Sequence, residues 1–162
     1  MEIEWRVKNG EDPYKHIERA AWDGIRVHRA QVAAGRMLEH VPTNHELNIN
    51  ISGVLVNEKI SAGGNIVTTL EREKSICLTN AGQAARAHWD APLDNLGIRL
   101  DPVYVSNVAA EHRISSSFEF NTYYVERDDL VLNIGLALLT EAESQNPGGQ
   151  LYADSLTQSL TL

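Results

Sequence analysis

The hydrophobic period of the chain changes near residue 100. Before that point apolar positions alternate with polar ones. Within residues 45–51, Leu47, Ile49 and Ile51 share one face while Glu46, Asn48 and Asn50 share the other. Leu96, Ile98 and Leu100 repeat the pattern around Gly97 and Arg99, with Asn95 before them. Residues 25–29, 54–56, 66–70 and 76–78 are further strand candidates, rich in β-branched side chains. Gly53, Gly63-Gly64, Asn80-Ala-Gly82 and Asp90-Ala-Pro92 separate them with turn chemistry. Short strands at such spacing predict a barrel or sandwich and argue against βαβ units.

After Leu100 the period becomes helical. Asp101-Pro102 opens a short helix over about 102–112, because Asp accepts orphan N–H bonds and Pro lacks the donor that the first turn cannot use. Residues 118–125 read as one more extended stretch. Asp128-Asp129 starts a second helix, its acids facing the positive end of the dipole. The body of that helix, 130–139, is apolar on nearly every side, so it is either sandwiched between elements or covered by a partner chain. Pro147-Gly148-Gly149 ends the segment, and a third helix carries Tyr152, Leu156 and Leu160 on one face. This helix reaches Leu162 with its period still running and no stop residue, which predicts continuation of the chain beyond that point. The fold class expected is mainly β with C-terminal helices (α+β), divided at 1–127 and 128–162.

Composition narrows the function. At 162 residues and 43% hydrophobic, the chain can bury a proper core. A net charge of -8 with no Lys/Arg cluster makes these residues poor phosphate binders, so nucleic acid is not expected to contact them. A single cysteine, Cys77, excludes an internal disulfide and fits a reducing compartment. No apolar run approaches membrane-spanning length, and the expectation is a soluble cytoplasmic domain.

Catalytic chemistry leaves no signature. His40 and His45 flank Pro42, His16, His28, His88 and His112 are scattered, and no His-x-His occurs; the spacing enforces no metal site. Cys77 has no nearby group to lower its pKa, the run Ser115-Ser116-Ser117 lacks nucleophile-elbow glycines, and Gly63-Gly64-Asn65 is too short for a phosphate loop. The expectation is a non-enzymatic domain without cofactor. Trp22, Trp89, Tyr104 and Arg99 stand out instead, since a small-molecule pocket combines aromatic walls with a few charged anchors. The candidate ligand-binding residues are Trp22, Trp89, Arg99 and His45.

The order of these pieces resembles a known family. His40-Val-Pro-Thr-Asn-His-Glu-Leu-Asn-Ile-Asn-Ile-Ser-Gly53 looks like the first barrel strands of the cupin-like N-terminal domain of AraC-type transcription regulators. Ser75-Ile-Cys-Leu-Thr-Asn-Ala-Gly82 is similar to that family's strand and turn, with Glu73-Lys74 and Asn80 as departures. Leu96-Gly-Ile-Arg-Leu-Asp-Pro102 resembles the family's strand and Asp-Pro turn. The helix from Asp128 and the segment Gly148-Gly-Gln-Leu-Tyr-Ala-Asp-Ser-Leu156 resemble the two helices that close its domain. The resemblance implies a jelly-roll sensor barrel, a small-molecule effector and a homodimer. It also implies a dimerisation helix, with Leu130, Ile134 and Leu138 as the interface, and DNA binding through a further C-terminal domain. The alternatives are a stand-alone cupin-type metalloenzyme and a dimerisation module with no ligand.

Overall fold

The computed structural model describes residues 5–7, 14–114, 123–144 and 148–161. Eleven strands and three helices follow one another in the described residues. They begin with β1 (Trp5–Val7), β2 (Tyr14–Trp22), β3 (Ile25–Val32), β4 (Gly35–His40), β5 (His45–Ser52) and β6 (Leu55–Ile60). Next come β7 (Ile66–Glu71), β8 (Ile76–Thr79), β9 (Ala84–Trp89) and β10 (Leu93–Leu100). The chain finishes with α1 (Pro102–Glu111), β11 (Tyr123–Val125), α2 (Asp129–Glu143) and α3 (Gly149–Thr161). Ser115-Ser116-Ser117, the start of the extended stretch at 118–122, Pro147 and Leu162 lie outside the described residues, as do the side chains of His16 and Leu160.

From β3 onward the chain passes repeatedly between two sheets. One has the order β1-β4-β9-β6-β7 and the other β11-β8-β5-β10-β3-β2, with every pairing antiparallel. Neighbours such as β3 and β10, or β4 and β9, are far apart in sequence, which is the wrapping of a jelly roll. The mainly β fold with C-terminal helices stands as expected.

The alternating pattern explains how the six-stranded sheet carries helices on its outer face. Ile25, Val27, Leu47, Ile49, Ile76, Leu78, Leu96, Ile98 and Leu100 form one apolar surface, buried under Val105 of α1, Ile134, Leu138, Leu139 and Ala142 of α2, and Ala153 of α3. Both expected caps form. The Asp101 carboxylate accepts from the N–H of Val103 (2.7 Å) and Tyr104 (3.3 Å), and that of Asp128 from Leu130 (3.0 Å) and Val131 (3.1 Å). Gly135 lets α2 sit close to the sheet: a Cβ there would lie 2.5 Å from Ile49 Cδ1.

This packing corrects the interface reading of α2. Ile134 and Leu138 lie in the protein's own core, Leu138 with no exposed surface, so neither is free to meet a partner. Of the three leucine and isoleucine positions proposed, only Leu130 remains outside, 67% exposed. The helix is apolar all round because a sheet takes one side and α3 packs on it as well.

Candidate functional site

The space between the two sheets is the site. Strand register turns the inner face of the six-stranded sheet into rows of side chains. Arg26, Arg99, Glu46 and Thr79 align in one row, His28, Gly97, Asn48 and Cys77 in the next, and Ala30 with Asn95 and Asn50 in a third. Val32 and Leu93 close the far end. The facing sheet supplies His40, Ala85 and Lys59 at the first level, then Met37, Ala87 and Asn57. Trp89, Leu55 and Glu71 complete that wall. The barrel thus runs from a charged end to an apolar end, where Ala30, Val32, Leu55, Ala87, Trp89 and Leu93 pack with Met37.

Between them lies a cavity of about 80 Å³. A buried water takes roughly 10–15 Å³ on this measure, so the space admits roughly five to eight non-hydrogen atoms. Its polar wall is incompletely satisfied. Buried atoms of His40 (both ring nitrogens), Asn57 (Oδ1), Asn95 (Oδ1) and Arg99 (Nε) have no hydrogen-bond partner among the described residues. An orphaned buried polar atom costs about 1–3 kcal/mol, which applies to the Asn57 and Asn95 oxygens, while His40 and Arg99 keep longer ion-pair contacts to Glu46.

The remaining contacts hold these groups in place. Glu46 stands between Arg99 and His40, its carboxylate 3.5 Å from Arg99 Nε and 3.6 Å from His40 Nε2. The nearby Glu46 carboxylate raises the affinity of His40 for a proton, against desolvation and with help from the carbonyls of Leu38 and Ala85. Asn95 Nδ2 donates to Asn48 Oδ1 (3.1 Å), leaving its own carbonyl oxygen toward the cavity. Asn57 Nδ2 donates to Glu71 Oε1 (2.8 Å). Burial pushes the Glu71 carboxyl above its ordinary pKa, while Asn57, Cys77 and Lys59 pull it back. Cys77 is buried beside Glu71, and desolvation with the Glu71 charge pushes its thiol up to about 12, so it is not poised as a nucleophile. Lys59 Nζ spans the barrel to donate to the Leu78 carbonyl (2.5 Å).

Two of the four candidate ligand residues come together here. Trp89 lines the cavity and donates from Nε1 to the Ala33 carbonyl (2.6 Å), and Arg99 forms part of the charged end. Trp22 does not line it: its register partner Ile25 faces the helices, and Trp22 packs in that same outer core. His45 also misses the cavity by strand parity, since Glu46 and Asn48 point inward from β5. Its Nδ1 accepts from Ala81 N (3.3 Å), and burial lowers its pKa against the pull of Asn80. Residues not singled out beforehand supply most of the polar wall: His28, His40, Glu46, Asn48, Asn57, Glu71 and Asn95. The polar face of residues 46–50 was the signal, because in this barrel the polar face is the inner one.

A metal centre on this fold would need converging His and carboxylate ligands. Among the described residues no group of three or more His, Cys, Asp or Glu side chains converges. His40 and Glu46 approach each other, but His28 belongs to the next row and Glu71 bonds to Asn57. The donor set of the described residues does not fit such a centre.

No protein-family model matches the sequence, and no curated protein matches it. Solved structures do match in fold. A single-site variant of oxalate decarboxylase from Bacillus subtilis aligns with a TM-score of 0.50 at 10% identity, over 78% of this chain and 40% of that one. A proposed mannose-6-phosphate isomerase from Ralstonia eutropha JMP134 aligns with a TM-score of 0.50 at 16% identity, over 59% of this chain and 91% of that one. This chain spans 34–40% of the decarboxylase chains. The expectation of a non-enzymatic domain is corrected by these neighbours. They carry enzyme names on the same fold, so missing sequence signatures do not set this chain apart from enzymes. Among the described residues no helix is long and apolar enough to cross a membrane. At these identities the likeness is one of architecture, and it agrees with the jelly roll and its inward polar face: the chain is a cupin-fold domain.

Proposed function

We propose that the protein acts by binding one small polar molecule in the lumen of its barrel. The observation that carries this reading is the set of orphaned polar atoms on His40, Asn57, Asn95 and Arg99 around one cavity. A core built only for stability would pair such groups or replace them with apolar ones. Two proton-holding groups share the space, His40 beside Glu46 and the buried Glu71. Such groups suit proton transfer on a bound molecule, which favours a cupin-type enzyme that relies on side chains.

A second reading, the effector sensor of an AraC-type regulator, is supported by the architecture of β5 and β10. Their inward residues Glu46, Asn48, Asn95 and Arg99 alternate with Leu47, Ile49, Leu96 and Ile98, which hold α2. A ligand that shifts these strands would shift the helix, and linkage would pass the change to a partner. Exposed Leu130, Leu136, Leu151 and Tyr152 offer the surface that a second copy would cover, and DNA contact would fall to a further domain.

A screen of small polar compounds by amide chemical shifts tests the binding, with Asn95→Leu as the control. Shifts centred on the lumen rows and lost in the variant are expected; no lumen binder would sink the proposal. Conversion of the bound compound, monitored in the same tubes, marks the enzyme. Binding without conversion, with shifts extending into α2, marks the sensor.

A further inference from the structure

The lumen is polarised, and the polarity specifies its ligand. At one end Arg99 is cationic and His40 binds protons more readily than usual, while Glu46 is the facing carboxylate. Exposed Arg26 continues the same row outward. Glu46 offsets part of this charge, but its contacts, at 3.5 and 3.6 Å, are longer than charge-assisted hydrogen bonds, and Arg99 Nε and His40 Nε2 stay without a close hydrogen-bond partner among the described residues. At the other end Val32, Leu55, Trp89 and Leu93 form an apolar wall, with the buried carboxyl of Glu71, held by Asn57, beside Leu55. Between the ends, the Asn57 and Asn95 carbonyl oxygens ask for donors.

Resting on the lumen-binding reading, we infer that the ligand is a short monocarboxylate with a compact apolar body, its carboxylate at Arg99 and His40 and its body against Trp89 and Leu93. A planar guanidinium matches a carboxylate by two parallel N–H donors, which a neutral amide cannot reproduce. The cavity volume limits the whole ligand to roughly five to eight non-hydrogen atoms, and a hydroxyl beside the carboxylate would serve Asn95 or Asn57. The charged end therefore selects anion over neutral isostere, and the apolar end selects a hydrocarbon body over a second charge.

The test uses the full chain and two probes of equal shape, isovalerate and isovaleramide, with 2-hydroxyisovalerate as a third. Calorimetric titration is expected to show isovalerate bound about tenfold or more tighter than the amide, the worth of one charged hydrogen bond. Arg99→Gln removes that preference and Arg99→Lys restores part of it. Equal affinity for acid and amide, or an unchanged ratio in Arg99→Gln, overturns the inference. If Arg99→Gln does not fold, the wild-type ratio alone decides. Lumen shifts from neutral polar compounds without any from the acids would defeat the carboxylate assignment while leaving the binding site intact. Silence from every compound would defeat both.

Discussion

Gly97 offers a direct test of how the lumen is built. It lies on β10 opposite His28 of β3, and a Cβ placed there would fall 2.1 Å from His28 Cε1, 2.3 Å from Nε2 and 2.9 Å from Nδ1. The imidazole therefore lies on the bare backbone of the neighbouring strand, and Gly97→Ala must turn the ring aside. Overpacking of this kind costs about 1–3 kcal/mol. Replacing glycine inside a strand returns about 0.5–1 kcal/mol of backbone entropy. The net expectation is a loss between about 0 and 2.5 kcal/mol in the wild-type background. In a His28→Ala background no ring is displaced, and the same substitution should stabilise by about 0.5–1 kcal/mol. The sign reverses between backgrounds, so the four-protein cycle isolates a coupling of about 1–3 kcal/mol. Urea denaturation of all four proteins, with midpoints and slopes fitted together, measures it. If Gly97→Ala has the same effect in both backgrounds to within about 0.5 kcal/mol, the ring does not rest on Gly97 and the second row of the lumen is wrong.

Two further outcomes bear on α2 and on the buried carboxyl. Leu138→Ala should cost about 2–5 kcal/mol as a core cavity, whereas Leu130→Ala should stay within about 0.5 kcal/mol of wild type; equal costs by urea denaturation would return α2 to the interface reading. Glu71 holds its proton more tightly when folded, so its stabilising share is full below its ordinary pKa of 4.5 and is lost as pH rises through the raised value. Glu71→Gln keeps an oxygen for Asn57 and cannot ionise, so its stability relative to wild type should improve from about pH 4 to about pH 8. Parallel urea midpoints across that range would show that burial does not perturb this group.

Strand alternation and helix capping made much of the fold legible. Residues 45–51 and 96–100 became β5 and the end of β10, and Asp101 and Asp128 capped the helices they were expected to open. Three long strands had no such signal. Tyr14–Trp22, Gly35–His40 and Ala84–Trp89 are rich in Ala, Arg, Glu, Leu and Met, residues that favour helices or carry no β preference. They are strands because neighbouring strands offer backbone partners, on both sides for β4 and β9 and on one side for β2 at the sheet edge, a non-local effect that propensity does not contain. Two of them, β4 and β9, supply Met37, His40, Ala85, Ala87 and Trp89, so apart from Trp89 this part of the lumen wall was hidden with them.

The sequence by itself determined that one face of the β region is apolar and the other polar, because alternation needs only the geometry of an extended chain. It also determined where α1 and α2 begin, since a cap involves residues within one turn of each other. Which face is inside was decided only by the tertiary structure. Helices laid on the apolar surface of the six-stranded sheet turned Leu47, Ile49, Leu96 and Ile98 outward and left Glu46, Asn48, Asn95 and Arg99 to line the cavity. The same packing withdrew Ile134 and Leu138 into the core, and strand parity removed His45 from the site. Those outcomes depend on contacts between residues dozens of positions apart, which no local pattern specifies.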